Sequence, residues 1–166
     1  VAKPEAEKAG FKFWKPLVWD KCTIGMGYHY RARYELILFF EKGKRRLNDL
    51  AIADIIEVPR IRGGYPAEKP VEVADVLIRQ SSETGQVVVD PFMGSGSVGV
   101  GAVKLGRRFL GNDLNPEAVQ ISARRLREGG ADGSAPVGPA NTEPTQADLL
   151  NLNLSSEPLN DEPLNP

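Results

Sequence analysis

With 166 residues and 41% apolar content, the chain has the size of one domain and enough apolar material to bury a core. Its 21 basic and 22 acidic residues nearly cancel to −1, but the acids Asp132, Glu143, Asp148, Glu157, Asp161 and Glu162 lie in a C-terminal stretch without Lys or Arg. Residues 1–128 therefore stand at about +5, a balance that suits a polyanionic partner. One cysteine, Cys22, and one histidine, His29, exclude a disulfide framework and a multi-ligand Cys/His metal site, and no apolar run approaches the ~20 residues of a membrane span. These features predict an intracellular chain with metal-free chemistry and no membrane segment.

Pro4 to Gly10 reads as the tail of a helix. Together with Val1 in place of methionine, it leads to the expectation that sequence upstream is missing. Pro16 to Lys21 reads as a short strand and Tyr34 to Glu41 as a longer one rich in β-formers. Between them, Thr23 to Arg33 holds Gly25, Gly27, Tyr28, Tyr30, Arg31 and Arg33, and its length argues for a functional loop over a tight hairpin. Lys44 to Gly64 is a basic connection with a short apolar element, Leu50 to Val58, and a loop at Pro59 to Gly64. Pro70 is expected at the first position of a helix, with Val73, Val76 and Leu77 at helical spacing.

Val87-Val88-Val89-Asp90 reads as a buried strand that stops at a carboxylate and turns through Gly94-Ser95-Gly96 into a helix, Val98 to Leu105, that ends at Gly106. A second apolar run, Arg108 to Asn112, leads to Asp113. The last helix has Asn115 as its cap, Pro116 in its first turn, Val119, Ser122, Ala123 and Leu126 on one face, and Gly129 at its end. This βαβα order places two acidic strand ends side by side at one edge of a parallel sheet, where open α/β sheets bind ligands. Residues 129–166, rich in Gly, Ala, Pro, Ser, Asn and acids, read as a disordered acidic tail behind a domain at 1–128.

Gly94-Ser95-Gly96-Ser97-Val98-Gly99 matches the dinucleotide fingerprint, with an acid at Asp113. Asp90, however, stands where a pyrophosphate must reach the helix amides and would repel it. A carboxylate there suits a ligand with a cationic amino acid part, such as S-adenosylmethionine. Asp113 can accept ribose hydroxyls from either cofactor and does not separate the two. A phosphate-binding P-loop is excluded, since no Gly-Lys-Ser/Thr closes the turn.

Leu17 to Tyr30, Tyr34 to Gly43, Tyr65 to Glu72, and Asp90-Pro91-Phe92-Met93-Gly94-Ser95-Gly96-Ser97 running on to Glu117 occur in an order that resembles the DNA amino-methyltransferases acting on adenine N6 or cytosine N4. The resemblance is to the subgroup whose cofactor motif lies near the C-terminus. It implies a Rossmann-like S-adenosylmethionine-dependent methyltransferase fold, a mostly parallel sheet with an antiparallel hairpin, whose N-terminal part is missing here. It implies that Asp90, Phe92, Gly94, Ser95 and Gly96 hold the methionine part of the cofactor, that Asp113 binds its ribose, and that Lys69 and Pro70 close the pocket from the other side. The family's catalytic tetrapeptide, Asp/Asn/Ser-Pro-Pro-aromatic, holds the exocyclic amino group and stacks on the flipped base. No Pro-Pro dipeptide occurs in these 166 residues. The expectation is a C-terminal methyltransferase part that holds the methyl donor and does not transfer the methyl alone.

The implied partner is DNA, and the implied setting is the cytoplasm of a bacterium or a phage host, in the context of restriction and modification. Tyr28 or Tyr30 would stack on an extruded base while Arg31 and Arg33 contact phosphate, and Lys42, Lys44, Arg45, Arg46, Arg60 and Arg62 would track the backbone. The short interval between these elements predicts relaxed specificity or help from another segment or a second subunit, as in a homodimer. A non-catalytic binding remnant, an RNA methyltransferase and an NAD-dependent oxidoreductase remain the alternatives.

Overall fold

A computed structural model describes residues 2–129. The acidic tail, apart from Gly129, lies outside the described residues. In chain order the elements are α1 (Ala2–Lys8), β1 (Lys12–Asp20), β2 (Tyr34–Glu41), β3 (Ile55–Glu57), α2 (Val71–Ser81), β4 (Val87–Asp90), α3 (Ser97–Lys104), β5 (Arg108–Gly111) and α4 (Pro116–Gly129). The architecture is α/β with both parallel and antiparallel pairing, as expected. The described strands form two sheets instead of one: β2-β1-β3 and β4-β5. Along the chain no described strand lies between β3 and β4, where residues 58–70 run as an irregular segment with bends and a turn before α2.

β1 begins before the expected Pro16, since Lys12 to Asp20 pairs antiparallel with Tyr34 to Glu41 across a bulge between Phe13 and Lys15. Pro16 is tolerated inside the strand for a geometric reason. The Val18 amide donates to Asp54 O at 2.8 Å, toward β3, so the alternate residue Pro16 also turns its nitrogen away from β2 and costs no bond of that ladder. Of the apolar element expected over Leu50 to Val58, Ile55–Glu57 becomes strand, parallel to Val18–Asp20. Trp19 is buried beside it and donates Nε1 to Val58 O at 2.8 Å.

Pro70 caps α2 from one position outside the helix, at φ −59° and ψ 137°, instead of occupying its first turn. The buried face of α2 is Val73, Ala74 and Ile78, with Val76 and Leu77 at its half-buried margin. Ala74, Ile78 and Ala102 form the centre of the core, and Val88, Val98, Leu105 and Phe109 pack around them. α3 comes close to its neighbours through bare backbone. A Cβ at Gly99 would stand 2.6 Å from the Phe109 ring, and one at Gly101 would stand 2.7 Å from Asp75 Oδ1.

β4 is not buried on both faces, contrary to the reading of its Val-Val-Val run. Val88 and Phe109 turn toward the helices, whereas Val87, Val89 and Leu110 remain exposed, because the described helices cover one face of this two-stranded sheet. The buried guanidinium of Arg107 closes the end of the layer. It donates to Ser82 Oγ at 3.1 Å, Ser82 O at 2.6 Å and Leu105 O at 2.6 Å, which supplies charged donors to carbonyls past the end of α2 and at the end of α3. Among the described residues no helix is long and apolar enough to cross a membrane.

Candidate cofactor and nucleic-acid site

The parallel pairing of β4 and β5 sets Asp90 opposite Gly111, so the loops that follow both strands leave from the same edge. Three hydrogen bonds stitch these loops together. Asn112 N donates to Asp90 O at 3.0 Å, Met93 N to Asn112 O at 3.0 Å, and Gly94 N to Asp113 Oδ2 at 2.9 Å. Asp113 Oδ1 accepts from Asn115 N at 2.9 Å, and Asp90 Oδ1 accepts from Phe92 N at 3.0 Å. The backbone donors at Asn115 and Gly94 hold the Asp113 carboxyl below its ordinary value of 3.8 against the opposing effect of burial, with a smaller contribution from Leu114. It is therefore an anion at neutral pH, and a carboxylate has acceptor capacity beyond two backbone donors. Each carboxylate has an exposed apolar neighbour, Phe92 at 82% beside Asp90 and Leu114 at 93% beside Asp113. Leu114 carries no motif signal in the sequence.

The turn between these carboxylates and α3 needs glycine for two reasons. Gly96, the cap of α3, has φ +80°, and a Cβ there would stand 2.2 Å from Ser122 Oγ on α4. Ser95 is buried, and its carbonyl accepts from Arg125 Nη1 at 2.9 Å. Ser97 Oγ is buried with no hydrogen-bond partner among the described residues. The ionised Asp113, the Asp90 carboxyl beside it and the exposed apolar flanks fit a ligand that has hydroxyls, an aromatic ring and an amino acid end.

The segment ahead of α2 packs against this turn. Asn115 Nδ2 donates to Tyr65 Oη at 3.3 Å, and Arg125 Nη2 pairs with Glu68 Oε1 at 2.8 Å. Lys69 turns toward the other sheet, where its Nζ lies 3.0 Å from Glu35 Oε2 and 5.5 Å above the Trp19 ring. Pro70 is buried at the start of α2. A cleft of about 370 Å³ opens along this segment, with Trp19, Lys21, Glu35, Arg60 and Lys69 in its lining. Tyr65 and Glu68 lie inside the motif quoted above, yet nothing local marks them as contacts of the glycine turn. Arg125 has no sequence signal at all.

The aromatic loop between β1 and β2 is clamped at its base and open at its tip. Lys21 N donates to Arg33 O and Gly25 N to Ala32 O, each at 2.9 Å, which leaves Met26, Tyr28 and Tyr30 almost fully exposed. The arginines beside them are engaged locally through Nε. Arg31 donates to Gly25 O at 2.6 Å, and Arg33 to both Asp20 oxygens at 2.8 and 3.1 Å. Arg45 is spent on the end of α2, where it donates to Ser81 O, to Asn48 Oδ1 at 3.0 Å and to Glu83 Oε1 at 3.1 Å. Lys42 reaches Ala9 O at 3.2 Å, at the opposite end of β1 from this loop. Arg46, Arg60 and Arg62 are exposed on the connections, and of these Arg60 joins the cleft.

A DNA methylase family profile for N6/N4 methyltransferases matches residues 53–124, a span that runs from β3 through Asp113 into α4. Over that span the chain matches the N6/N4 DNA amino-methyltransferase family. It is 31% identical over 118 residues to the type II methyltransferase M2.LlaDCHI of Lactococcus lactis subsp. cremoris, a match covering 70% of this chain and 43% of that relative. Among solved structures, it resembles TTHA0409 from Thermus thermophilus, a putative DNA modification methylase complexed with S-adenosyl-L-methionine. That match has TM-score 0.61 and 29% identity and covers 76% of this chain and 58% of that one. The cytosine-N4-specific PvuII DNA methyltransferase superposes with TM-score 0.66 at 18% identity, over 76% of this chain and 55% of that one, which is a likeness of fold. The chain spans about two fifths to half of the length of the curated relatives it matches. The profile match takes in both carboxylate loops and the 65–70 segment, and the aromatic loop lies ahead of it.

Proposed function

We propose that this chain forms the S-adenosylmethionine-binding part of a DNA methyltransferase acting on the exocyclic amino group of adenine or cytosine. The observation that carries the reading is the pair of adjacent carboxylate loops, with Asp113 held ionised by backbone donors and hydrogen-bonded to the amide of Gly94. Asp113 offers acceptors to the ribose hydroxyls, and Asp90 places negative charge near the ammonium and sulfonium of the ligand. Phe92 and Leu114 present apolar surface to its adenine. The cofactor, when bound, supplies an activated methyl group. Around it the chain's own residues bind, orient and exclude water, with Tyr65 and Glu68 along the far wall. Tyr28 and Tyr30 give the exposed aromatic faces that an extruded base needs, and Arg60 and Arg62 give charge for the phosphate backbone.

The test is calorimetry of the chain with S-adenosylhomocysteine and, separately, with NAD. Tighter binding of S-adenosylhomocysteine is expected, and tighter binding of NAD overturns the reading in favour of an oxidoreductase. A second reading, binding without transfer, is favoured by one observation: no Asp/Asn/Ser-Pro-Pro-aromatic tetrapeptide occurs in the 166 residues. Transfer of labelled methyl from S-adenosylmethionine to DNA is then expected to be absent for this chain alone. Clear turnover would show that the transfer step does not need that tetrapeptide.

A further inference from the structure

The Ser95–Gly96 peptide is held from both sides. Its N–H donates to Met93 O at 2.7 Å, and its carbonyl accepts from Arg125 Nη1 at 2.9 Å. The same guanidinium pairs through Nη2 with Glu68 Oε1 at 2.8 Å, and Glu68 Oε2 accepts the Tyr65 amide at 3.3 Å. The Arg125 and Glu68 side chains are 22% and 14% exposed, so water screens this pair far less than it screens Arg124 and Glu128 on the same helix, at 67% and 68%. One residue of α4 thus joins the glycine turn to the segment that faces it, across 57 positions of sequence. The planar fork of arginine suits this double task, since its donors point at two acceptors at once.

We propose that Arg125 is a positioning residue that couples the glycine turn to residues 65–69, so that a ligand on the turn orders the facing segment and the segment in turn tightens the site. The proposal rests on the cofactor reading above. Arg125 itself sets the direction of the Ser95 carbonyl, and Glu68 carries that constraint into residues 65–69. Loss of Arg125 therefore releases both partners. Loss of the Glu68 charge leaves the Ser95 carbonyl held and frees the segment alone.

The experiment pairs S-adenosylhomocysteine calorimetry with amide hydrogen exchange on the full chain, for the wild type, Arg125→Ala, Arg125→Lys, Glu68→Gln and the control Arg124→Ala. In the wild type and the control, the ligand is expected to slow exchange in both residues 92–97 and residues 65–69. Arg125→Ala is expected to raise the Kd at least ten-fold and to lose ligand-induced protection at 65–69. Glu68→Gln is expected to raise the Kd less while losing the same protection. Arg125→Lys retains the charge without the fork and serves if the alanine variant fails to fold, with the same loss of protection expected. Affinity within two-fold of the wild type, with both segments still protected in the Arg125 variants, overturns the coupling alone. Failure of the wild type to bind S-adenosylhomocysteine overturns the cofactor reading and this proposal with it.

Discussion

The Gly94 amide donates to Asp113 Oδ2 at 2.9 Å, which ties the turn after β4 to the acid after β5. This bond makes Asp113 serve two purposes: it shapes the glycine turn and it presents an anion at the sheet edge. Asp113→Ala is expected to weaken S-adenosylhomocysteine binding by about 1.5 to 3 kcal/mol, the scale of lost charged hydrogen bonds. Asp113→Asn, which keeps one acceptor oxygen, is expected to lose less. Calorimetry checks both, and unchanged affinity in the alanine variant removes Asp113 from the ribose role.

The turn itself is expected to resist substitution at Gly96. Gly96→Ala adds a methyl group at φ +80° and 2.2 Å from Ser122 Oγ, so strain and overlap act together. A loss of roughly 1 to 3 kcal/mol is expected from overpacking, read as a lowered urea midpoint. Adding Ser122→Gly is expected to relieve most of the overlap, since Ser122 Cα stays 3.2 Å away, while leaving the backbone strain and adding about 1 kcal/mol for a glycine inside α4.

Three carboxyls bear on acid stability. Asp20 is held low chiefly by the Arg33 hydrogen bond, Asp54 by Lys15, and Asp113 by the Asn115 amide, each from 3.8. A folded-state value below the unfolded one gives stability that is present above 3.8 and is lost as pH falls through the lowered value. Urea midpoints are therefore expected to be insensitive to these groups near neutrality and to drop on acidification below 3.8. The drop should be smaller in Asp20→Asn.

The tip of the aromatic loop separates binding from folding. Tyr28 and Tyr30 are fully exposed. Replacing either by alanine is expected to leave thermal stability unchanged. Affinity for a single-stranded oligonucleotide should fall by about 1 to 3 kcal/mol for a tyrosine that stacks on a base. Arg60→Ala and Arg62→Ala are expected to reduce the slope of affinity against salt instead. Fluorescence titration at several salt concentrations distinguishes the two effects.

The core rests on α2. Ile78 is 4% exposed and packs with Ala74 and Ala102. Ile78→Ala is expected to cost about 2 to 5 kcal/mol, measured by urea unfolding. No other variant named here should approach that loss without touching the turn.

The sequence by itself determined the local elements and the chemistry at their ends. β4 with Asp90, β5 followed by Asp113, the glycine turn and the Asn115 cap, whose Oδ1 accepts from Glu117 N at 3.0 Å, all follow from short-range periodicity and turn preference. Those signals act within a few residues, so they are written in consecutive positions. Tertiary structure alone decided that Gly96 must lack a side chain to admit Ser122, that Arg45 belongs to the end of α2, and that one face of β4 stays exposed. It also brought Arg125 to both Ser95 and Glu68. Each of these depends on which surfaces meet after folding, and contacts between residues tens of positions apart leave no period or spacing to read beforehand.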